Sequence, residues 1–159
     1  MSSGAPNVGP IAGNDRVVTS EDSGAIVIDV LANDQDANND RLTLVRVDSS
    51  SQTGVVQIAA DGRSLLYTAP QDLAAGQTRT ETFTYTVSDN QLTATGTVTV
   101  EITGENDVPV INVSNPVSLP AVDGEVTIPL TSIFNDPDLG SVLTVTALDD
   151  SQTLGSVRI

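Results

Sequence analysis

The chain has 159 residues, enough for one domain of ordinary size and part of another, and a formal charge of −15 from 21 acidic residues against 6 basic ones, all arginine. Such an acidic surface repels nucleic acid and anionic lipid, so neither a nucleic-acid nor a membrane partner is expected. With no His, Cys or Lys, the chain lacks the commonest general base, the thiolate nucleophile, the Schiff-base amine and the ligands zinc prefers, which leaves the oxygen donors that suit calcium or magnesium.

Hydrophobic residues make up 38% of the chain but aromatic ones only 3%, so the core must be aliphatic. The absence of cysteine excludes a disulfide framework. No run reaches transmembrane length, and MSSGAPN at the start is not a signal peptide, so an exported protein would carry its targeting signal outside this sequence. Period-two alternation predicts strands over 16–19, 25–30, 42–47, 54–59, 64–68, 80–88 and 92–103, separated by Gly, Asn, Asp and Ser turns. Asp61-Gly62 reads as a hairpin turn, since both residues tolerate positive φ. Phe83, Tyr85 and Val87 alternate with threonines and therefore share one face, the core face. Tyr67 and Tyr85 are expected in the core with hydrogen-bonded hydroxyls. The pattern specifies an all-β, seven-stranded antiparallel Greek-key sandwich of the cadherin/immunoglobulin-like kind.

Self-comparison shows a repeat. RLTLVRVDSSSQTGVVQI (41–58) matches VLTVTALDDSQTLGSVRI (142–159) without a gap, AND-x-D at 32–36 matches FND-x-D at 134–138, and Asn7 and Pro10 match Asn106 and Pro109. A period of about a hundred residues is the mark of a tandem array. The expected organisation is a tail over 1–9, a complete sandwich over 10–104, a linker over 105–109 and a truncated second copy over 110–159. Half a sandwich exposes its inner face, so the second copy should be poorly stable alone.

The stretch LANDQDANNDRLTLV (31–45) places Asp34, Asp36, Asn38 and Asp40 at every second position. An EF-hand loop would need Gly at its sixth position and Glu at its twelfth, where this chain has Asn39 and Val45 between strands, so that reading fails. Alternating strand direction supplies a better one. The second-to-third loop (Asp34, Asp36, Asn38, Asp40) and the sixth-to-seventh loop (Asp89, Asn90) should lie where the chain enters the sandwich. The first-to-second loop (Glu21, Asp22), the fifth-to-sixth loop (Asp72) and the exit segment Gly104-Glu105-Asn106-Asp107-Val108-Pro109 should lie where it leaves. The next copy then brings Asp136 and Asp138 at its own inlet, so acceptors from one copy, the linker and the next are expected at a single junction.

SEDSGAIVIDVLANDQDANNDRLTLV, followed by LLYTAP, FTYTVSDN and GENDVPV, resembles the cadherin-like repeats of giant bacterial surface adhesins, many of them RTX-type. The resemblance covers residues 10–109 and part of the second copy. It implies β-sandwich modules strung in tandem with Ca2+ clamped between neighbours. The cadherin pattern implies ligand roles for Glu21, for Glu105, Asn106 and Asp107 in the linker, and for Asp136 and Asp138. It implies the same for Asp34, Asp36 and Asp89 at the preceding junction, beside the neighbouring acceptors Asn38 and Asp40. Two departures stand out: the acidic triplet before the sixth strand is absent, with Asp72 an approximate substitute, and Val8 occupies the place of Asp107.

The function these readings imply is a calcium-binding structural extender at a bacterial cell surface, outside the cell, with neighbouring repeats of the same polypeptide as its partners. The rival is an adhesive module that recognises carbohydrate or another cadherin-like domain; the low aromatic content argues against a sugar platform. A carboxylate glycosidase would need two facing acids in a cleft, whereas these acids cluster in loops at the ends, so no enzyme is expected.

Overall fold

The computed structural model describes residues 6–49, 53–111, 133–138, 142 and 144. The chain divides into two compact units, Met1–Asn106 and Asp107–Ile159. In the first, seven strands form in the expected order: β1 (Asp15–Ser20), β2 (Ala25–Ile28), β3 (Thr43–Asp48), β4 (Val55–Ile58), β5 (Leu65–Thr68), β6 (Thr78–Ser88) and β7 (Thr93–Thr103). They make a four-stranded sheet in the order β1-β7-β6-β3 and a three-stranded sheet in the order β2-β5-β4. Ladders join odd to even strands and are antiparallel, except that β1 lies parallel to β7 with Asp15 opposite Val98. That exception is forced: strands alternate in direction, so two odd-numbered neighbours must run the same way.

Alternation decides which face each side chain takes, because successive Cβ atoms point to opposite sides of a strand. Phe83, Tyr85 and Val87 of β6 and Val98, Val100 and Ile102 of β7 are buried, facing Leu65 and Tyr67 of the other sheet, while the interleaved threonines point outward. The rings of Tyr67 and Phe83 stack with centroids 5.9 Å apart. In β3 the alternation slips. A register shift between Leu44 and Arg46 leaves Val45 exposed, so that Leu44 and Val47 can both face Val87 and Tyr85.

Two details differ from the sequence expectation. The second strand ends at Ile28, and the following segment turns so that Val30 and Leu31 still bury. At the β4–β5 hairpin only Gly62 has positive φ (+65°). Asp61 instead holds the turn with its side chain, its Oδ1 accepting from the N–H of Arg63 at 2.9 Å and of Ser64 at 3.2 Å.

In the second unit the described strands are β8 (Val110–Ile111) and β9 (Phe134–Asn135), which pair antiparallel. The matching segment 142–159 falls outside the described residues apart from Val142 and Thr144.

Candidate metal centre

At the inlet end the strand ends bring three loops together. Chain direction puts the starts of β1, β3 and β7 and the end of β6 there. One carboxylate oxygen each of Asp36, Asp40 and Asp89 lies within 4.8 Å of the others. Two unit charges at that separation repel by about 3 kcal/mol at an effective dielectric near 20, so the arrangement calls for a counter-ion.

Backbone hydrogen bonds fix the cluster. Asp36 Oδ1 accepts from the N–H of Asn38 at 2.9 Å and of Asp40 at 3.0 Å, which curls the loop around that oxygen. Asp36 Oδ2 is buried and has no hydrogen-bond partner. Asp89 is 4% exposed. Its Oδ1 accepts from Gln91 and Leu92 N–H at 2.7 and 2.6 Å, and its Oδ2 from Asn7 Nδ2 at 2.8 Å. The Leu92 N–H, then the Asn7 amide, hold this carboxyl below the usual carboxylate range, so it is ionised at neutral pH. Asn38 stands beside the cluster with its Oδ1 accepting from Val8 N–H at 2.7 Å. Asn39 and Asn90 take the left-handed conformation (φ 58° and 77°) that lets the two loops turn tightly. An open groove beside the cluster is lined by Asp34, Asp36, Asp40, Arg41 and Arg63 among others.

Asp34 is not a member of that group. Its Oδ1 accepts from Gly13 N–H at 2.7 Å and from the Tyr85 hydroxyl at 2.8 Å, which pins the segment before β1 to the β2–β3 loop. Behind it lies Asp15, whose Oδ1 accepts from Asn33 Nδ2 at 3.1 Å. Burial, followed by the nearby Asp34 charge, raises the Asp15 pKa to about 6. Asp15 Oδ2 and Asp34 Oδ2 are both buried without hydrogen-bond partners. The position of Asp15 was open to sequence reasoning, since it shares a strand face with half-buried Val17.

At the outlet end Glu21 is 1% exposed and ties three segments together. Its Oε2 accepts from Leu73 N–H at 3.0 Å, its Oε1 from Glu105 N–H at 2.9 Å, and its backbone carbonyl from Gln71 Nε2. The one-turn helix Glu21–Ser23 presents it there. The side chains of Glu105 and Asn106 are exposed. Asp72 is no substitute for the missing triplet, because Arg79 engages both its oxygens at 2.8 and 3.0 Å. That pairing holds the Asp72 carboxyl below its usual range.

In the second unit, Asp107 N–H donates to Asp138 Oδ2 at 3.0 Å and Asp138 N–H to Asp136 Oδ1 at 3.0 Å. These bonds correct the register of the repeat. The pair Val8→Asn38 and Asn38→Asp36 recurs as Asp107→Asp138 and Asp138→Asp136, and the bridge Ile11–Gln35 recurs as Val110–Asn135. Asp136 and Asp138 therefore correspond to Asp36 and Asn38, not to Asp34 and Asp36, and Phe134 stands where the first copy has Asp34. Acceptors at every second position make the sequence match ambiguous by two residues; the hydrogen bonds remove the ambiguity.

The donor set fits a hard divalent cation. It is made of oxygen alone, includes ionised and buried carboxylates, and leaves Asp36 Oδ2 in the first unit and Asp138 Oδ1 in the second without a protein partner.

No curated protein matches the chain. Among solved structures it is similar to an endo-fucoidan hydrolase, MfFcnA4 from glycoside hydrolase family 107, at 20% identity and a TM-score of 0.42, covering 60% of this chain and 14% of that one. A single-substitution variant of the same enzyme gives 19% identity, a TM-score of 0.42 and coverage of 64% and 16%. The chain thus spans a small part of those proteins, and a likeness of this size transfers no activity. A family model described as "Bacterial Ig domain" matches residues 7–101, the span that holds β1 to β6, all but the last two residues of β7 and the Asp36–Asp40–Asp89 cluster, and the chain belongs to that family.

Proposed function

We propose that the chain is a calcium-binding extender repeat of a large bacterial cell-surface adhesin of the cadherin-like, RTX-type kind, exported from the cell and without catalytic activity. The observation that carries this reading is the triple Asp36, Asp40 and Asp89, with one oxygen of each within 4.8 Å of the others, the Asp36 and Asp89 carboxyls held by backbone N–H groups and one buried Asp36 oxygen without a partner. Calcium accepts six to eight oxygens in flexible geometry, which suits carboxylates mixed with amide and backbone carbonyls. Bound where the chain passes from one repeat into the next, it would stiffen a tandem array and hold a distal binding domain away from the cell. Neighbouring repeats of the same polypeptide are then its partners.

Thermal unfolding with added ions tests the reading. A ligand bound only by the folded state stabilises by mass action, so calcium should raise Tm, and magnesium, which demands tight octahedral geometry, should raise it less. Equal shifts with both ions, or none with calcium, would sink the proposal.

A further inference from the structure

An edge strand offers unpaired backbone groups, and folded proteins guard such edges with charged side chains. The larger sheet follows that rule. Its edge strands carry Asp15 and Arg16 in β1, and Arg46 and Asp48 in β3. The smaller sheet breaks it at both edges: β2 reads AIVI and β4 reads VVQI, with no charge in either. In a chain of net charge −15, two unguarded edges need a reason.

The repeat shows that the fold does not require them. In the sequence of the second copy, outside the described residues, GEVTI (124–128) stands where the first has GAIVI (24–28), and GSVRI (155–159) where the first has GVVQI (54–58). The matches of inward-facing Ile26, Ile28, Val56 and Ile58 stay apolar, as Val126, Ile128, Val157 and Ile159. The matches of outward-facing Ala25, Val27, Val55 and Gln57 are Glu125, Thr127, Ser156 and Arg158, so each segment gains one charge. The charge-free edges belong to the first copy and not to the repeat.

We infer that β2 is a self-docking edge: Ala25–Ile28 pairs antiparallel with the same strand of a second molecule of this chain, joining two three-stranded sheets into one of six. Of the two edges, β2 alone has apolar side chains throughout, with Val27 66% exposed. Among the described residues no backbone hydrogen bond reaches β2 from the side away from β5. Charge selects the partner. A two-fold axis perpendicular to the sheet, passing between the two Ile26 or the two Val27 residues, keeps outward side chains on one face. Exposed Asp29 then falls opposite Ser23 or Ala25 of the other molecule, and exposed Asp22 opposite Val30 or Ala32, so no acid meets an acid. Parallel pairing in register would set Asp29 against Asp29, which like-charge repulsion opposes. A basic partner would be drawn instead to the acidic ends. Four residues from each molecule make an interface well below about 1,200 Å², so the contact is reversible, with a dissociation constant of roughly 0.1–1 mM. It stands whether or not the chain binds calcium.

Hydrogen exchange on the full chain in chelator, at about 20 μM and at about 1 mM, brackets that affinity and reads the edge through the peptide covering 24–30. At the higher concentration this peptide should exchange roughly threefold more slowly, because pairing protects edge N–H groups, while the peptide covering 54–60 at the opposite edge should not change. Ala25→Glu should remove the slowing and Val27→Thr should reduce it, both without loss of Tm, since the two side chains are exposed; Val55→Ser should keep it. Exchange at 24–30 that ignores concentration, slowing undiminished in A25E and V27T, or slowing that appears at 54–60 instead, overturns the inference. Repeating the measurement in calcium separates it from the functional reading: the same slowing is expected, and slowing that requires calcium overturns the edge contact as well.

Discussion

Glu81 lies inside the sandwich, 5% exposed, and accepts the hydroxyl proton of Tyr67 at 2.7 Å from the opposite sheet. Its Oε1 also accepts from Thr53 N–H at 3.0 Å, Thr53 Oγ1 at 2.7 Å and Gly54 N–H at 3.1 Å. One carboxylate thus fastens the two sheets and the start of β4. Glu81→Ala would strand the buried Tyr67 hydroxyl and leave the part-buried N–H groups of Thr53 and Gly54 without their acceptor, so chemical denaturation should show a loss of roughly 3 kcal/mol, with Tyr67→Phe costing about 1 kcal/mol. A loss below that of an ordinary surface substitution would disprove the fastening role.

Gly54 is required by the same contact. A Cβ there would lie 2.5 Å from Tyr67 Oη and 2.7 Å from Glu81 Oε2. Gly54→Ala should therefore destabilise by about 1–3 kcal/mol, the range for overpacking, and Tyr67→Phe in the same chain should relieve part of that cost. Simple additivity of the two substitutions would argue against the clash.

Two acids predict opposite pH trends. Burial alone would raise the Glu81 pKa, but the bonds from Thr53, Tyr67 and Gly54 outweigh it and the carboxyl is held low. Its contribution is present above the unfolded pKa and is lost as pH falls through the folded one. Asp15 is raised to about 6 from 3.8, so the folded state binds the extra proton, and stability is lost as pH rises from about 4 to 6. Asp15→Asn, measured in chelator, should stabilise the protein at pH 7 and leave it unchanged at pH 4. Equal effects at the two pH values would remove Asp15 from the account.

Asp40 offers the cleanest probe of the inlet cation site. Its side chain is exposed, and its structural contribution is a backbone N–H given to Asp36, which any residue retains. Asp40→Ala should lower calcium affinity roughly tenfold, about 1.4 kcal/mol, while raising Tm in chelator, because it removes one of three mutually repelling charges. Asp89→Ala should reduce both, because Asp89 also caps Gln91 and Leu92. If Asp40→Ala leaves calorimetric affinity untouched, Asp40 is not a ligand.

Much of this could be read along the chain. Phe83, Tyr85 and Val87 alternate with threonine, and period two admits only one assignment of faces; Glu81 shares their parity and so had to point inward as well. Strand count alone put the loops bearing Asp36 and Asp89 at one end and those bearing Glu21 and Asp72 at the other, because consecutive strands reverse direction. What local pattern could not supply is which of several equivalent acceptors goes where. Asp34 and Asp36 are alike in sequence, but the Tyr85 hydroxyl and Gly13 N–H, distant in the chain, reach only the first. Asp72 looked available until the fold brought both Arg79 nitrogens onto it. The register of the second copy was equally undetermined, since a run of acceptors with period two matches itself after a shift of two. Only the N–H groups of Val8 and Asp107, delivered by the incoming strands, choose between the alternatives. Periodicity is a local property and survives in the sequence. Partner choice depends on separations across the fold of tens of residues, and the closed sandwich sets those.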